Sequence, residues 1–217
     1  MQTLTVSVYK LGPPGGLFDE GVVRNLFPDV SLPARRLLVH RAVARGEVLR
    51  LKPGCFCLAP AYRRSHPHPF VVAAVLHWPS HVSLESALAH HGLIPEAVQT
   101  VSSITSRRSR EFSTPLGHFS FHRVPAREPL AGVTAVEIGE NGWAFVASPL
   151  RAIADLLYLR KEICWDRGGV GFLTRSMRIS EEDLREIAGG ASGEVIETVR
   201  SERVRGYLRR FVKEFGR

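Results

Sequence analysis

Residues 31–58 read SLPARRLLVHRAVARGEVLRLKPGCFCL, and two periodicities meet inside that stretch. Ser31 stands at an N-cap position, and Pro33 sits in the first helical turn, where its missing N–H breaks no helical hydrogen bond. The spacing predicts a helix over residues 32–45, stopped by Gly46. At about 100° per residue, Leu38, Val39, Ala42 and Val43 share one face of it. Arg36, His40 and Arg41 lie on the other face, and Arg35 falls near the boundary. Residues 48–51 then alternate with period two, Lys52-Pro53-Gly54 is a turn, and residues 55–58 form a second extended run, so a β-hairpin follows the helix directly. A basic helix with a trailing hairpin is the arrangement of a winged helix-turn-helix. The helix enters the major groove, and bases on or near the hairpin tip reach neighbouring phosphates. The DNA contacts expected on this reading are Arg35, Arg36, His40, Arg41, Arg45, Arg50 and Lys52.

Upstream, residues 4–11 are weakly helical, and the run Gly12-Pro13-Pro14-Gly15-Gly16 must be a loop. Asp19 or its neighbour caps a helix that runs through Leu26 and ends before Pro28. Charge supports an anionic partner at this end. Residues 1–64 hold ten bases against four acids, a net +6, while the remaining residues carry +2 of the total +8. Without a hydrophobic anchor, nucleic acid is the better match than a membrane. No apolar run approaches the roughly 18 to 20 residues of a membrane span. The first ten residues lack the pattern of a signal peptide, so a cytoplasmic location is expected.

Residues 59–69, with His66-Pro67-His68-Pro69, read as a linker, because these prolines exclude a helix. The expected division is therefore a winged helix-turn-helix over 1–62 and a larger α+β domain over 63–217, with an antiparallel sheet and flanking helices. Its elements are a helical run from Phe70, a helix over 83–91 capped by Ser83 and stopped by Gly92, and extended segments at 99–105, 117–124, 134–138 and 143–147. The last two flank Gly139-Glu140-Asn141-Gly142, a hairpin signal. Ser148 and Ser180 start two further helices, and one final helix is expected from about Glu194 to Phe215. The basic run 106–110, with Arg107, Arg108 and Arg110, is open to three readings: a second nucleic-acid contact, a protein-facing patch or a solvated loop.

No enzyme signature is present. The chain lacks Gly-x-Ser-x-Gly, a Walker loop, a dinucleotide glycine motif and His-Glu-x-x-His. Ser83, Ser86, Glu85, His90 and His91 sit on one short helix, which cannot place nucleophile, base and orienter around one substrate atom. Each of the four lysines, Lys10, Lys52, Lys161 and Lys213, lacks an acid two positions upstream, which disfavours a nuclease of the acid-x-Lys kind. Cys55 and Cys57 point to one face of a strand and read as small buried side chains rather than a metal half-site. No catalytic residue, metal ligand or cofactor is expected.

Four stretches, in order, resemble the AbiEi family of type IV toxin–antitoxin systems. They are residues 43–56; residues 82–96, which are the most specific; residues 101–110 with Phe112, Thr114 and Gly117; and residues 147–158. The resemblance covers about residues 15–160. Where the family commonly carries a lysine two residues after the proline of the fourth stretch, this chain has Arg151, and Cys55 stands where an aliphatic residue is usual. The resemblance implies an antitoxin that binds inverted repeats upstream of its own operon, represses it, and counteracts a co-encoded nucleotidyltransferase toxin. The competing expectation is a stand-alone winged-helix regulator whose C-terminal domain senses a small ligand.

Overall fold

The computed structural model describes residues 3–95, 99–139 and 142–216. The Glu140-Asn141 centre of the expected hairpin turn and Glu96 of the second stretch lie outside the described residues. The chain divides into two compact units. One comprises residues 1–76 with 112–118 and 137–144, and the other comprises residues 77–111, 119–136 and 145–217. The fold is α+β. Among the described residues, no helix is long and apolar enough to cross a membrane.

The first unit begins with α1 (Thr3–Leu11), β1 (Leu17–Asp19), α2 (Glu20–Leu26) and α3 (Leu32–Ala44), followed by the hairpin strands β2 (Val48–Lys52) and β3 (Cys55–Leu58) and by α4 (Pro69–Leu76). Asp19 caps α2: its carboxylate accepts a 2.9 Å hydrogen bond from the Val22 amide. The end of α3 is fixed by Gly46 at φ +69°, a conformation cheap only for glycine. There the Glu47 amide bonds the Ala42 carbonyl and the Gly46 amide bonds that of Val43, which together make a Schellman closure. Pro53 and Gly54, the latter at φ +77°, turn the hairpin.

The three strands form an antiparallel sheet in the order β1-β3-β2, with Phe18 opposite Phe56 and Val48 opposite Leu58. The strand β1 is not foreseen by the sequence reading, because three residues are too few to show a period. It places Phe18 in the core, its ring 5.5 Å from that of Phe56. Leu4 and Val8 of α1, Val23 of α2, Val39 and Ala42 of α3, and Val48 and Leu58 complete that core. A buried pair joins its ends. The Thr5 hydroxyl donates at 2.6 Å to the Glu47 carboxylate, and the two residues are 0% and 5% exposed.

A six-stranded sheet has the order β6-β7-β5-β4-β9-β8. Its strands are β4 (Ser80–Val82), β5 (Thr100–Thr105), β6 (Arg110–Thr114), β7 (Gly117–Arg123), β8 (Val133–Glu137) and β9 (Trp143–Ala147). This corrects the expected antiparallel sheet: β4 pairs antiparallel with β5 but parallel with β9, through Val82 and Val146, so the sheet is mixed. The short β4, hidden between a proline and a helix start, carries that change.

Helices α5 (Leu84–His90), α6 (Pro149–Leu159), α7 (Gly169–Gly171, continuing as a π-turn to Ser176), α8 (Glu181–Gly189), α9 (Gly193–Thr198) and α10 (Glu202–Phe215) complete the second unit. Ser148 and Ser180 cap α6 and α8 through their hydroxyls, as expected. The single final helix is corrected to two. Val199 is extended and bridges Ala126, and the Arg127 amide bonds the Thr198 carbonyl, so a tertiary strand-like contact interrupts the helical run.

Candidate nucleic-acid interface

Burial of Val39 and Ala42 decides which side of α3 faces outward. Its exposed residues fall into two adjoining rows, Leu32, Arg36 and His40 beside Pro33, Leu37, Arg41 and Ala44, with Arg45 exposed at the C-cap. On β2, Arg50 is exposed opposite Phe56. The helices α2 and α3 and the hairpin border a groove of about 550 Å³ whose polar lining is Arg24, Arg35, Arg36, His40, Arg50 and Glu20. Four guanidinium groups and one imidazole thus face one carboxylate, which makes the groove strongly cationic.

The seven expected contacts separate into three groups. Arg36, His40 and Arg50 come together on the groove as exposed side chains. Arg41 and Arg45 are exposed on the same helix but do not line the groove. Arg35 and Lys52 are committed to the protein. Arg35 is half-buried and donates at 3.3 Å to the Phe27 carbonyl, which pins the turn between α2 and α3. The Lys52 ammonium donates at 2.6 Å to the Leu76 carbonyl at the end of α4, where a cation meets the negative end of the helix dipole. The bulge between Arg50 and Lys52 sets them apart: without it, both would follow the strict alternation of the strand. Arg24 is a groove residue that the sequence reading does not single out. Its signal is a basic side chain in the last turn of α2, the helix before the basic one.

Cys55 and Cys57, on β3, are buried, and burial pushes both thiols above their usual range. Beside them, Lys52 and Arg63 respectively pull back toward the thiolate without reversing the shift. Among the described residues, no group of histidines, cysteines and carboxylates is placed to hold a metal ion.

Arg107, Arg108 and Arg110 lie in the second unit, all exposed, on the turn from β5 into β6. The turn is held by its backbone. The Arg107 amide bonds the Thr105 hydroxyl at 3.1 Å, and the His77 ring contacts the Arg108 carbonyl at 3.1 Å.

Ser83 occupies the N-cap position of α5, but its hydroxyl makes no cap. It donates instead at 2.8 Å to Asp155 on α6, a carboxylate only 2% exposed. Arg151, equally buried, donates to the same carboxylate at 3.1 Å and to the Ala131 carbonyl at 2.8 Å. The second and fourth of the stretches described above therefore meet in a buried ionic cluster. In these residues the resemblance falls on scaffold rather than on an exposed surface. No protein-family model matches the chain, and no curated protein matches it.

Proposed function

We propose that residues 1–62 act as a winged helix-turn-helix that binds double-stranded DNA. In this reading α3 is the recognition helix and the β2–β3 hairpin is the wing. The observation that carries it is the groove in which Arg36 and His40 of α3 meet Arg24 of α2 and Arg50 of β2. The element order helix, strand, helix, helix, hairpin, with the first strand paired to the last, supports the same reading. Arg36 and His40 then read base edges, while Arg24, Arg41, Arg45 and Arg50 hold phosphates. On this footing, with the AbiEi resemblance, we infer a cytoplasmic autorepressor that also counteracts a co-encoded nucleotidyltransferase toxin. Nothing in that role requires catalysis by this chain. The test is fluorescence anisotropy on a fragment from upstream of the gene, with unrelated DNA as competitor. The R36A/H40A pair is expected to lose preference for the upstream fragment, and the R24A/R50A pair to weaken binding to both DNAs. A variant carrying all four changes that binds as tightly as the parent removes the proposal. The antitoxin part is tested by co-expression with a nucleotidyltransferase-like gene immediately downstream. Absence of such a gene, or no rescue of growth, leaves the stand-alone regulator, which the cavity described next favours.

A further inference from the structure

We propose that the second unit binds a small aromatic carboxylate in a cavity flanked by β4, the end of β5 and residues 123–130. The cavity measures about 480 Å³, within the roughly 300–1,000 Å³ common for small-molecule sites. Its walls include Trp78, Ile104, Leu130 and Phe145. Trp78 and Leu130 are 58% and 61% exposed, an unusual amount of bare apolar surface for neighbours along one cavity. The Trp78 and Phe145 rings stand 5.9 Å apart, tilted by 46°, so they offer an aromatic wall. That wall favours a flat ring over a flexible chain.

Charge sets the second requirement. Arg123 and Arg200 line the cavity as exposed side chains, and among the described residues the lining contains no aspartate or glutamate. Arg151 also contributes to the wall, but Asp155 already neutralises it, so the unmatched charge is that of Arg123 and Arg200. Two guanidinium groups without a carboxylate select an anion, and a carboxylate matches their fork geometry. His81 is another wall residue, only 6% exposed. Its Nε2 is buried and faces the interior Asp155 carboxylate at 3.7 Å, so it sets no requirement on a ligand. Ring and carboxylate together define the ligand class.

The inference does not depend on DNA binding, and its test uses the full chain without DNA. The probe is 2-naphthoate, titrated calorimetrically beside 2-naphthol, which lacks the carboxylate, and octanoate, which lacks the ring. One-to-one binding is expected for the probe, weaker by roughly tenfold or more for either control, as the loss of a charge-assisted contact or of the ring packing implies. R123A/R200A, which changes two exposed side chains, is expected to show a similar loss with an unaltered melting curve. A126W, which places an indole in the lining, is expected to abolish binding. The proposal is overturned by absence of heat at millimolar probe, by equal affinity for either control, or by unchanged affinity in R123A/R200A.

Discussion

Arg50 and Lys52 are two residues apart on one strand and carry the same charge, yet the structure gives them different work. Arg50 is exposed on the groove, whereas the Lys52 ammonium is bonded to the Leu76 carbonyl. DNA affinity should separate them through its dependence on salt. Each phosphate neutralised adds about −0.9 to the slope of log affinity against log salt, because it releases a condensed counterion. The proposed phosphate contacts are four exposed arginines per protomer: Arg24, Arg41, Arg45 and Arg50. If all four meet phosphates, affinity falls about 150-fold between roughly 50 and 200 mM salt, and about 40-fold once Arg50 is removed. The assay is anisotropy of a labelled promoter fragment over a potassium chloride series. Arg50→Ala is expected to make the slope shallower by about 0.9 per protomer with an unchanged melting temperature. Lys52→Ala is expected to keep the parental slope and to lower the melting temperature, because it removes a charge-assisted hydrogen bond from a helix end. Equal loss of slope in the two variants, or a parental slope in Arg50→Ala, would refute the assignment.

Four further outcomes follow from buried groups. Thr5→Val leaves the Glu47 carboxylate without its hydroxyl donor, so urea unfolding of the first unit should show a loss of about 1–3 kcal/mol. Asp155→Ala strands the buried Arg151 guanidinium and should cost the second unit about 3–5 kcal/mol; a loss below that of an exposed pair such as Arg185 and Glu181 would contradict the cluster. Tyr207 donates at 2.5 Å to the Gly169 carbonyl, and burial raises its phenol above the ordinary range. Because the folded pKa lies above the unfolded one, this contribution is complete below about pH 10 and declines above it, as the unfolded chain ionises first. Tyr207→Phe should therefore flatten the alkaline fall in melting temperature. Iodoacetamide near neutral pH should label the half-buried Cys164, while Cys55 and Cys57, buried and with raised thiol pKa values, should react only after unfolding, as read by peptide mass spectrometry.

Residues 31–58 are legible from sequence because helix and hairpin each repeat their own period long enough to be seen, and because Gly46 and Gly54 mark the two reversals. The short strands β1 and β4 are not legible. Three residues cannot display an alternation, and their pairing partners, β3, β5 and β9, lie far along the chain. The break between α9 and α10 is hidden for a related reason. Residues 198–201 contain neither glycine nor proline, so local propensity continues the helix, and the interruption comes from Ala126 and Arg127 some seventy residues earlier.

The candidate site shows a sharper limit, because a net charge counts cations without asking what they already serve. Of the ten bases in residues 1–64, Arg35 bonds the Phe27 carbonyl and Lys52 that of Leu76, Arg63 donates to the Cys57 sulfur, and Arg64 stacks over the Tyr9 ring at 5.4 Å. A guanidinium held to a carbonyl keeps its charge, so it still adds to the long-range field, but it cannot follow a phosphate without giving up that bond. One acid in the same segment, Glu47, is buried and bonded to Thr5, so it does not stand opposite a ligand in the way an exposed acid would. Subtracting committed groups from both signs leaves a smaller set of exposed arginines on α2, α3 and β2. On the proposed reading, it is the convergence of Arg24, Arg36 and Arg50 on one groove, rather than the excess of +6, that would suit the segment to a duplex.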